Sequence, residues 1–343
     1  MEVVDGRPEV PCFFIFGDSL SDSGNNNNLS TDAKVNYPPY GVDFPDGPTG
    51  RFTNGRTGVD FITQLLGFDH FIPPYANYGD CDIEEGVNYA SGSAGIRNET
   101  GKHLGENVSL EKQLQNHRVI ISKITEKVRG RRLEIAKRRL RKCLYYVNTG
   151  SNDYFNNYFL PQHYPTSSTY SPDEFAAELA KEYYTQIKAL YELGARKFVL
   201  NGLNLLGCMP HEISTHGKNN DTACVDTEND NVMLFNDKLR AMVDQLNEEL
   251  AYAKFIYVNT PVISSANPLL HSVGVRGIVK CCEVGPNGQC TPNVEPCPER
   301  NSHAFFDDFH PTEIVNRFVA SSSYNSPSRS YTYPYDISHL VQS

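Results

Sequence analysis

Short apolar runs that stop abruptly in small or polar residues recur along the chain, and each is the signature of a buried strand delivering a loop. The clearest is Cys12-Phe13-Phe14-Ile15-Phe16, which halts at Gly17 and gives way to a wholly small and polar stretch. Four more follow at residues 86–90, 144–148, 197–201 and 254–259. Between them the spacing of apolar positions changes to that of helices. A helix is expected to open near Thr57 and carry Phe61, Leu65 and Leu66. Another spans 109–128, with Leu110, Leu114, Ile121, Ile124 and Val128 on one stripe and Gly130 breaking it. Ser171-Pro172-Asp173-Glu174 reads as a capping box with proline at the first helical position, followed by Phe175, Leu179, Ile187 and Leu190 and a stop at Gly194. A further helix buries Val232, Phe235, Leu239, Met242 and Leu246. Five short strands alternating with helices predict an α/β fold with a parallel sheet covered on both faces. No repeat or linker marks a second unit, so one domain is expected over 1–343, with 1–11 as an N-terminal extension and 321–343 as a C-terminal tail.

Composition narrows the partners. The chain has 343 residues, 39% of them hydrophobic, enough for one large core. Its net charge of −10 argues against binding phosphate backbones or anionic membrane surfaces. No apolar run approaches the ~20 residues of a membrane-spanning helix. The charge is uneven: residues 118–142 hold eleven Lys/Arg against two Glu, +9, which leaves −19 for the remainder. A solvated helical face with Leu133, Ala136 and Leu140 turned inward is the plain reading of that segment; an anion-attracting patch near the site is the sharper one.

Nine cysteines point to an oxidising compartment. Cys208, Cys224, Cys281, Cys282, Cys290 and Cys297 are expected in disulfides, since the spacing of the last four misses the pattern of a structural zinc site. Cys12 and Cys143 read as inert buried thiols, and an odd total leaves at least one thiol free. Sequons begin at Asn28, Asn98, Asn107 and Asn220, the first too near Ser19 to carry a glycan comfortably. Residues 1–11 lack the apolar core of a signal peptide. The expectation is a secretory-pathway protein whose leader has been removed, a monomer with no cofactor and no metal.

The candidate chemistry gathers where strands end. Ser19 follows the first strand, at the carboxyl edge where open α/β sheets bind ligands. Its surroundings, Gly17-Asp18-Ser19-Leu20-Ser21, are not a G-x-S-x-G elbow. After the second strand, Ser91-Gly92-Ser93-Ala94-Gly95 is small enough to bring backbone amides against a ligand. After the third, Asn152 can aim its side-chain amide into a cleft. In Asp307-Asp308-Phe309-His310-Pro311 a carboxylate three residues before a histidine can accept from Nδ1–H and leave Nε2 for a serine. The Gly/Pro-rich passage from Tyr37 to Arg56 reads as an ordered surface loop, either scaffold or a wall of the substrate cleft, and His103, His117 and His303 receive no role.

Taken together these stretches resemble the plant GDSL esterase/lipase family of the SGNH hydrolase superfamily. The matching segments are Gly17-Asp18-Ser19-Leu20-Ser21-Asp22-Ser23-Gly24-Asn25-Asn26, Asn88-Tyr89-Ala90-Ser91-Gly92-Ser93-Ala94-Gly95-Ile96, Gly150-Ser151-Asn152-Asp153 and Asp307-Asp308-Phe309-His310-Pro311-Thr312-Glu313, in family order. The resemblance implies a three-layer α/β/α sandwich around a five-stranded parallel sheet, of flavodoxin-like type. It implies a triad of Ser19, His310 and Asp307, with an oxyanion held by the amides of Ser19 and Gly92 and the side chain of Asn152. Asp18 and Asp153 are then supporting residues, Asp153 steadying Asn152. The implied activity is ester hydrolysis through an acyl-enzyme. Transfer of the acyl group to an alcohol acceptor is the alternative, and an inactive binding or defence protein on the same fold is a third reading.

Overall fold

The structure is a computed structural model that describes residues 7–77, 83–126, 131–217, 224–265, 274–275 and 277–343. Its centre is a sheet in the order β1 (Phe13–Gly17), β2 (Leu144–Asn148), β3 (Lys197–Asn201), β4 (Lys254–Val258), β5 (Thr332–Tyr333). The first four strands pair in parallel, and the short β5 runs antiparallel to β4. Expectation and structure therefore agree on an α/β fold built on five strands, but the sheet is mixed rather than wholly parallel.

The 86–90 run, expected as a strand, lies in parallel along the outer edge of β1. It accepts hydrogen bonds at Glu85 O and Val87 O from Phe13 and Ile15, and the Tyr89 N–H donates to Ile15 O. On its far side Asn88 meets Pro73 and Pro74, which have no N–H to extend a ladder, so the pairing stops at isolated bridges. With this edge run counted, the parallel strands cross the sheet in the chain order second, first, third, fourth, fifth. That is the doubly wound order whose ligand crevice lies between the first and third, here β1 and β2.

Alternation along each strand sorts the core into two layers. Phe14, Phe16, Tyr145, Val147, Phe198, Leu200 and Phe255 pack under the helices Leu110–Glu126, Pro172–Glu192 and Asp226–Glu249. Phe13, Ile15, Leu144, Tyr146, Val199, Ile256 and Val258 face the helices Gly58–Leu65, Glu313–Tyr324 and Ile337–Gln342. The segment expected as a tail is thus part of the fold: Ile337 and Leu340 are fully buried, and Thr332–Tyr333 adds the last strand. The capping box at Ser171 and Glu174 forms as expected, and Thr57 with Asp60 makes another. Among the described residues no helix is long and apolar enough to cross a membrane.

Among the described residues four disulfides are present: Cys208–Cys224, Cys281–Cys297, Cys282–Cys290 and Cys12–Cys143. The last corrects the reading of Cys12 and Cys143 as inert thiols. Parallel register pairs Phe13 with Leu144, so the residues immediately before them stand side by side, 4.7 Å apart at Cα. The ninth cysteine, Cys81, and the sequon at Asn220 lie outside the described residues.

The basic segment is placed away from the strand ends that carry the chemistry. Its helix Arg131–Leu140 leads into the start of β2, and Arg139 Nη2 donates to Pro11 O and Glu84 O, ahead of β1. A five-residue strand spans roughly 17 Å, so Arg139 stands at the opposite edge of the sheet from Ser19. Leu140 is buried while Glu134, Lys137, Arg138 and Arg139 are exposed, which is the solvated face of the plainer reading.

Candidate active site

The site assembles from three loops at the carboxyl ends of β1, the 86–90 run and β2, closed by the 304–313 segment. Gly17 ends β1 at φ +156°, and a Cβ there would lie 2.3 Å from Asn148 O. Only glycine lets the chain pass so close to β2 and turn Ser19 into the crevice. Ser19 Oγ is 2.8 Å from His310 Nε2, and His310 Nδ1 is 2.9 and 2.8 Å from the two oxygens of Asp307. The three residues are 7, 6 and 0% exposed, so this chain of hydrogen bonds is shielded from water. Ser19, His310 and Asp307 are thus brought together as the sequence implied, although 291 residues separate the serine from the histidine.

The carboxylate is held from several sides. Besides the imidazole, Asp307 accepts from the amides of Phe309 and His310 at 2.9 and 2.7 Å and from Tyr40 Oη at 2.5 Å. Burial alone would raise its pKa, but the His310 imidazole and these hydrogen bonds outweigh burial and hold it below the ordinary carboxylate value. Tyr40 is fixed in turn, because its oxygen accepts from the Cys290 amide at 3.0 Å. Within the Tyr37–Arg56 passage both readings hold, since Tyr40 is scaffold for Asp307 while Phe52 lines the catalytic cavity. Nothing local in the sequence joins Tyr40 to a partner 267 residues away. Asp308 turns elsewhere, to Lys280 Nζ at 2.6 Å.

Asn152 lines the pocket, and its neighbours fix its orientation. Its Oδ1 accepts from Asn156 Nδ2 at 2.7 Å and its Nδ2 donates to Ala94 O at 2.9 Å, which leaves one N–H of the amide for a ligand. Asp153 acts on the loop opposite rather than on Asn152 itself. It accepts from Ile96 N, Arg97 N and Thr100 Oγ1 at 2.8, 3.0 and 2.7 Å, tying the 91–97 loop to the end of β2. Gly95 makes room for this, since a Cβ there would fall 2.6 Å from both Asp153 oxygens. Burial raises the Asp153 carboxyl to about 6 against the pull of those donors.

Gly92 departs from expectation. Its N–H donates to Asp22 Oδ2 at 3.0 Å instead of standing free for an oxyanion. The cause is the burial of Asp22, whose carboxylate must find donors inside the protein: Oδ1 takes the amides of Gly24 and Asn25 at 2.8 and 2.7 Å, and Oδ2 takes that of Gly92. Burial raises its pKa to about 6, opposed by these amides and Arg51. Asp22 is therefore a site residue that sequence reading missed, although it sits within the same ten-residue motif as Ser19. Asp18, also buried, accepts from Leu20 N at 3.0 Å, while its other oxygen meets no donor among the described residues; burial lifts it to about 7.

A cavity of about 200 Å³ opens on Ser19, His310 and Asn152. Phe52, Phe155 and Phe309 give it an aromatic wall, with Phe155 stacked on Phe309 at 5.4 Å. His103, given no role from the sequence, lines it together with His163 and His211. Asn107 Nδ2, the atom a glycan would occupy, is spent on Ser93 O, Ser93 Oγ and Thr100 O beside this pocket. Asn98 is exposed, its side chain bonded to Glu111 and Ser109.

The family model of the GDSL-like lipase/acylhydrolases matches residues 13–322. Among Arabidopsis thaliana proteins, GDSL esterase/lipase At1g29670 is 46% identical over 98% of this chain and 93% of its own length. GDSL esterase/lipase At4g18970 is 45% identical over 100% and 95%. In the solved OSK domain of Drosophila Oskar, similarity is 17% identity over 59% of this chain and 80% of that one, at a TM-score of 0.25, too low to bear on the fold. On the family match and the full-length relatives, the chain belongs to the GDSL-like lipase/acylhydrolase family.

Proposed function

We propose that the protein is a monomeric, single-domain carboxylic-ester hydrolase that works through an acyl-enzyme on Ser19. The observation that carries this is the run of hydrogen bonds from Ser19 Oγ through His310 to Asp307. With Asp307 ionised, Nδ1 keeps its proton and Nε2 is left basic. As Ser19 Oγ attacks the ester carbonyl, its proton passes to Nε2, and the imidazolium that forms is stabilised by Asp307. The tetrahedral oxyanion is met by the free N–H of Asn152 and by the Ser19 amide. Gly92 contributes to the extent that its N–H can be shared with Asp22. Collapse of the intermediate returns the proton from Nε2 to the leaving alcohol, and water then repeats the cycle on the acyl-enzyme. A pocket of about 200 Å³ is smaller than the ~300–1,000 Å³ of drug-sized sites, which favours short acyl groups. Four disulfides support a place in the secretory pathway.

Turnover of p-nitrophenyl esters of increasing chain length tests the proposal, with Ser19→Ala as blank and alcohols added as competing acceptors. Ser19-dependent release of free acid, strongest with short chains, is expected. If new ester predominates at modest alcohol concentration the protein is an acyltransferase, and release that persists in Ser19→Ala overturns the assignment.

A further inference from the structure

A second group of chemistry-bearing side chains stands beside the catalytic pocket and takes no part in the ester reaction. The helix Pro210–His216 presents Glu212 and His216 four residues apart on one face, and the first turn of Asp226–Glu249 sets Glu228 against them. His216 Nδ1 lies 2.9 Å from Glu212 Oε2 and 2.7 Å from Glu228 Oε1. Both glutamates are buried, 2 and 7% exposed, whereas the His216 side chain is 40% exposed. One ligand atom from each residue falls within 4.8 Å of the others. Nδ1 carries at most one proton, yet two carboxylates converge on it. The remaining oxygen of Glu228, Oε2, is buried and accepts from no donor among the described residues. One imidazole thus leaves a buried acceptor unmet and two carboxyl groups crowded together, an arrangement short of positive charge.

We infer that Glu212, His216 and Glu228 bind a divalent transition-metal ion of the Zn²⁺ class. Two carboxylate oxygens and an imidazole nitrogen suit Zn²⁺, whereas Ca²⁺ takes six to eight oxygens and Mg²⁺ keeps to oxygen ligands. With tetrahedral metal–ligand bonds of about 2.0–2.2 Å, neighbouring donors stand roughly 3.3–3.6 Å apart. The present 2.7 and 2.9 Å separations need to open by roughly 0.4–0.9 Å, a side-chain adjustment that the half-exposed His216 can make. The ion takes the place of the Nδ1 proton, and water completes its shell on the exposed side of His216. Among the described residues one other place gathers such donors, and there Cys281 and Cys297 beside His303 are bonded to each other in a disulfide.

Its effect is to brace a wall of the pocket. The Cys208–Cys224 disulfide and the hydrogen bond from Gly207 N to Asn229 Oδ1 already tie this loop to the long helix. His211, one residue before Glu212, lines the catalytic cavity, packs at a tilt against Phe309 with ring centres 4.7 Å apart, and donates its amide to Asp308 O at 3.2 Å. An ion at Glu212 fixes that turn without touching the reacting atoms.

The test uses the whole chain, stripped with a chelator and then given Zn²⁺ alone, with bound metal counted by elemental analysis and Tm followed by scanning fluorimetry. The expected result is one Zn²⁺ per chain and a rise in Tm that Mg²⁺ and Ca²⁺ do not reproduce. Glu228→Gln keeps the shape of the site and His216→Ala removes the nitrogen. Each should weaken Zn²⁺ binding roughly 100-fold or more while p-nitrophenyl ester turnover without metal persists, showing that the variants fold. His103→Ala, at the stacked His103–His163 pair, should leave the Zn²⁺ response intact. Failure of the stripped chain to retain Zn²⁺, or retention undiminished in Glu228→Gln and His216→Ala, overturns the inference.

Discussion

Replacing Tyr40 by Phe isolates what holds the catalytic carboxylate. The substitution keeps the ring, which packs edge-on against Phe306 at 5.5 Å, and removes only the hydroxyl. Two bonds are lost with it: the 2.5 Å donation to Asp307 Oδ2 and the 3.0 Å acceptance from Cys290 N. A hydrogen bond to a charged group is worth about 1.5–3 kcal/mol, and leaving the buried Cys290 amide unpaired costs about 1–3 kcal/mol of stability. Asp307 keeps His310 Nδ1 and the amides of Phe309 and His310, so the imidazole remains oriented. What falls is the stabilisation of the imidazolium that forms as Ser19 attacks. The expected loss in kcat is roughly 10- to 100-fold, from the same 1.5–3 kcal/mol. Asp307→Asn should cost more, about 10⁴-fold, because an amide facing Nδ1 selects the tautomer that cannot accept from Ser19. The assay is kcat and KM on a short-chain p-nitrophenyl ester for wild type, each single variant and the double variant, with Tm recorded alongside. If Tyr40 acts through Asp307, removing its hydroxyl from the Asp307→Asn protein changes kcat little. An equal penalty in both backgrounds, or no penalty in either, would refute the reasoning.

Other substitutions probe the remaining parts. Asn152→Ala should lower kcat by about 10²–10³ with KM little changed, as read from steady-state kinetics. Gly95→Ala drives a Cβ to within 2.6 Å of Asp153 and Thr100, so Tm and kcat should drop together, and a Tm equal to wild type would count against that crowding. The pH dependence has a defined sign. Asp18, Asp22 and Asp153 have folded pKa values raised to about 7, 6 and 6, so their contribution to stability is full below about pH 4 and is lost as pH rises through those values. Asp307 is lowered, and its contribution is present above the ordinary aspartate range and disappears only in stronger acid. Tm should therefore decline from about pH 4 to about pH 7. Asp18→Asn, neutral throughout, should flatten that decline, as thermal melts across the range would show.

Much of the site could be read from the chain because each reacting residue lies just beyond a strand end or on one short turn. Asp307 and His310 are three residues apart, and Ser19 follows five buried residues whose pattern admits little but a strand. What could not be read depends on register and on distant loops meeting. The Cys12–Cys143 bond follows from pairing Phe13 with Leu144, which neither run specifies alone. Tyr40 reaches Asp307 across 267 residues, and Asp22 takes the Gly92 amide across 70. In both cases a buried carboxylate collects whatever donors the fold brings near, a demand of burial rather than of local pattern. The antiparallel β5 escaped notice for another reason: two residues are too few to show alternation.

The central claim is that Ser19 is an activated nucleophile, and covalent labelling tests it most directly. The protein is treated with a fluorophosphonate, digested, and mapped by mass spectrometry, with Ser19→Ala and His310→Ala in parallel. One adduct on the peptide containing Ser19 is expected, absent from Ser19→Ala and formed far more slowly in His310→Ala. Labelling of a different serine, with ester turnover intact in Ser19→Ala, would contradict the account.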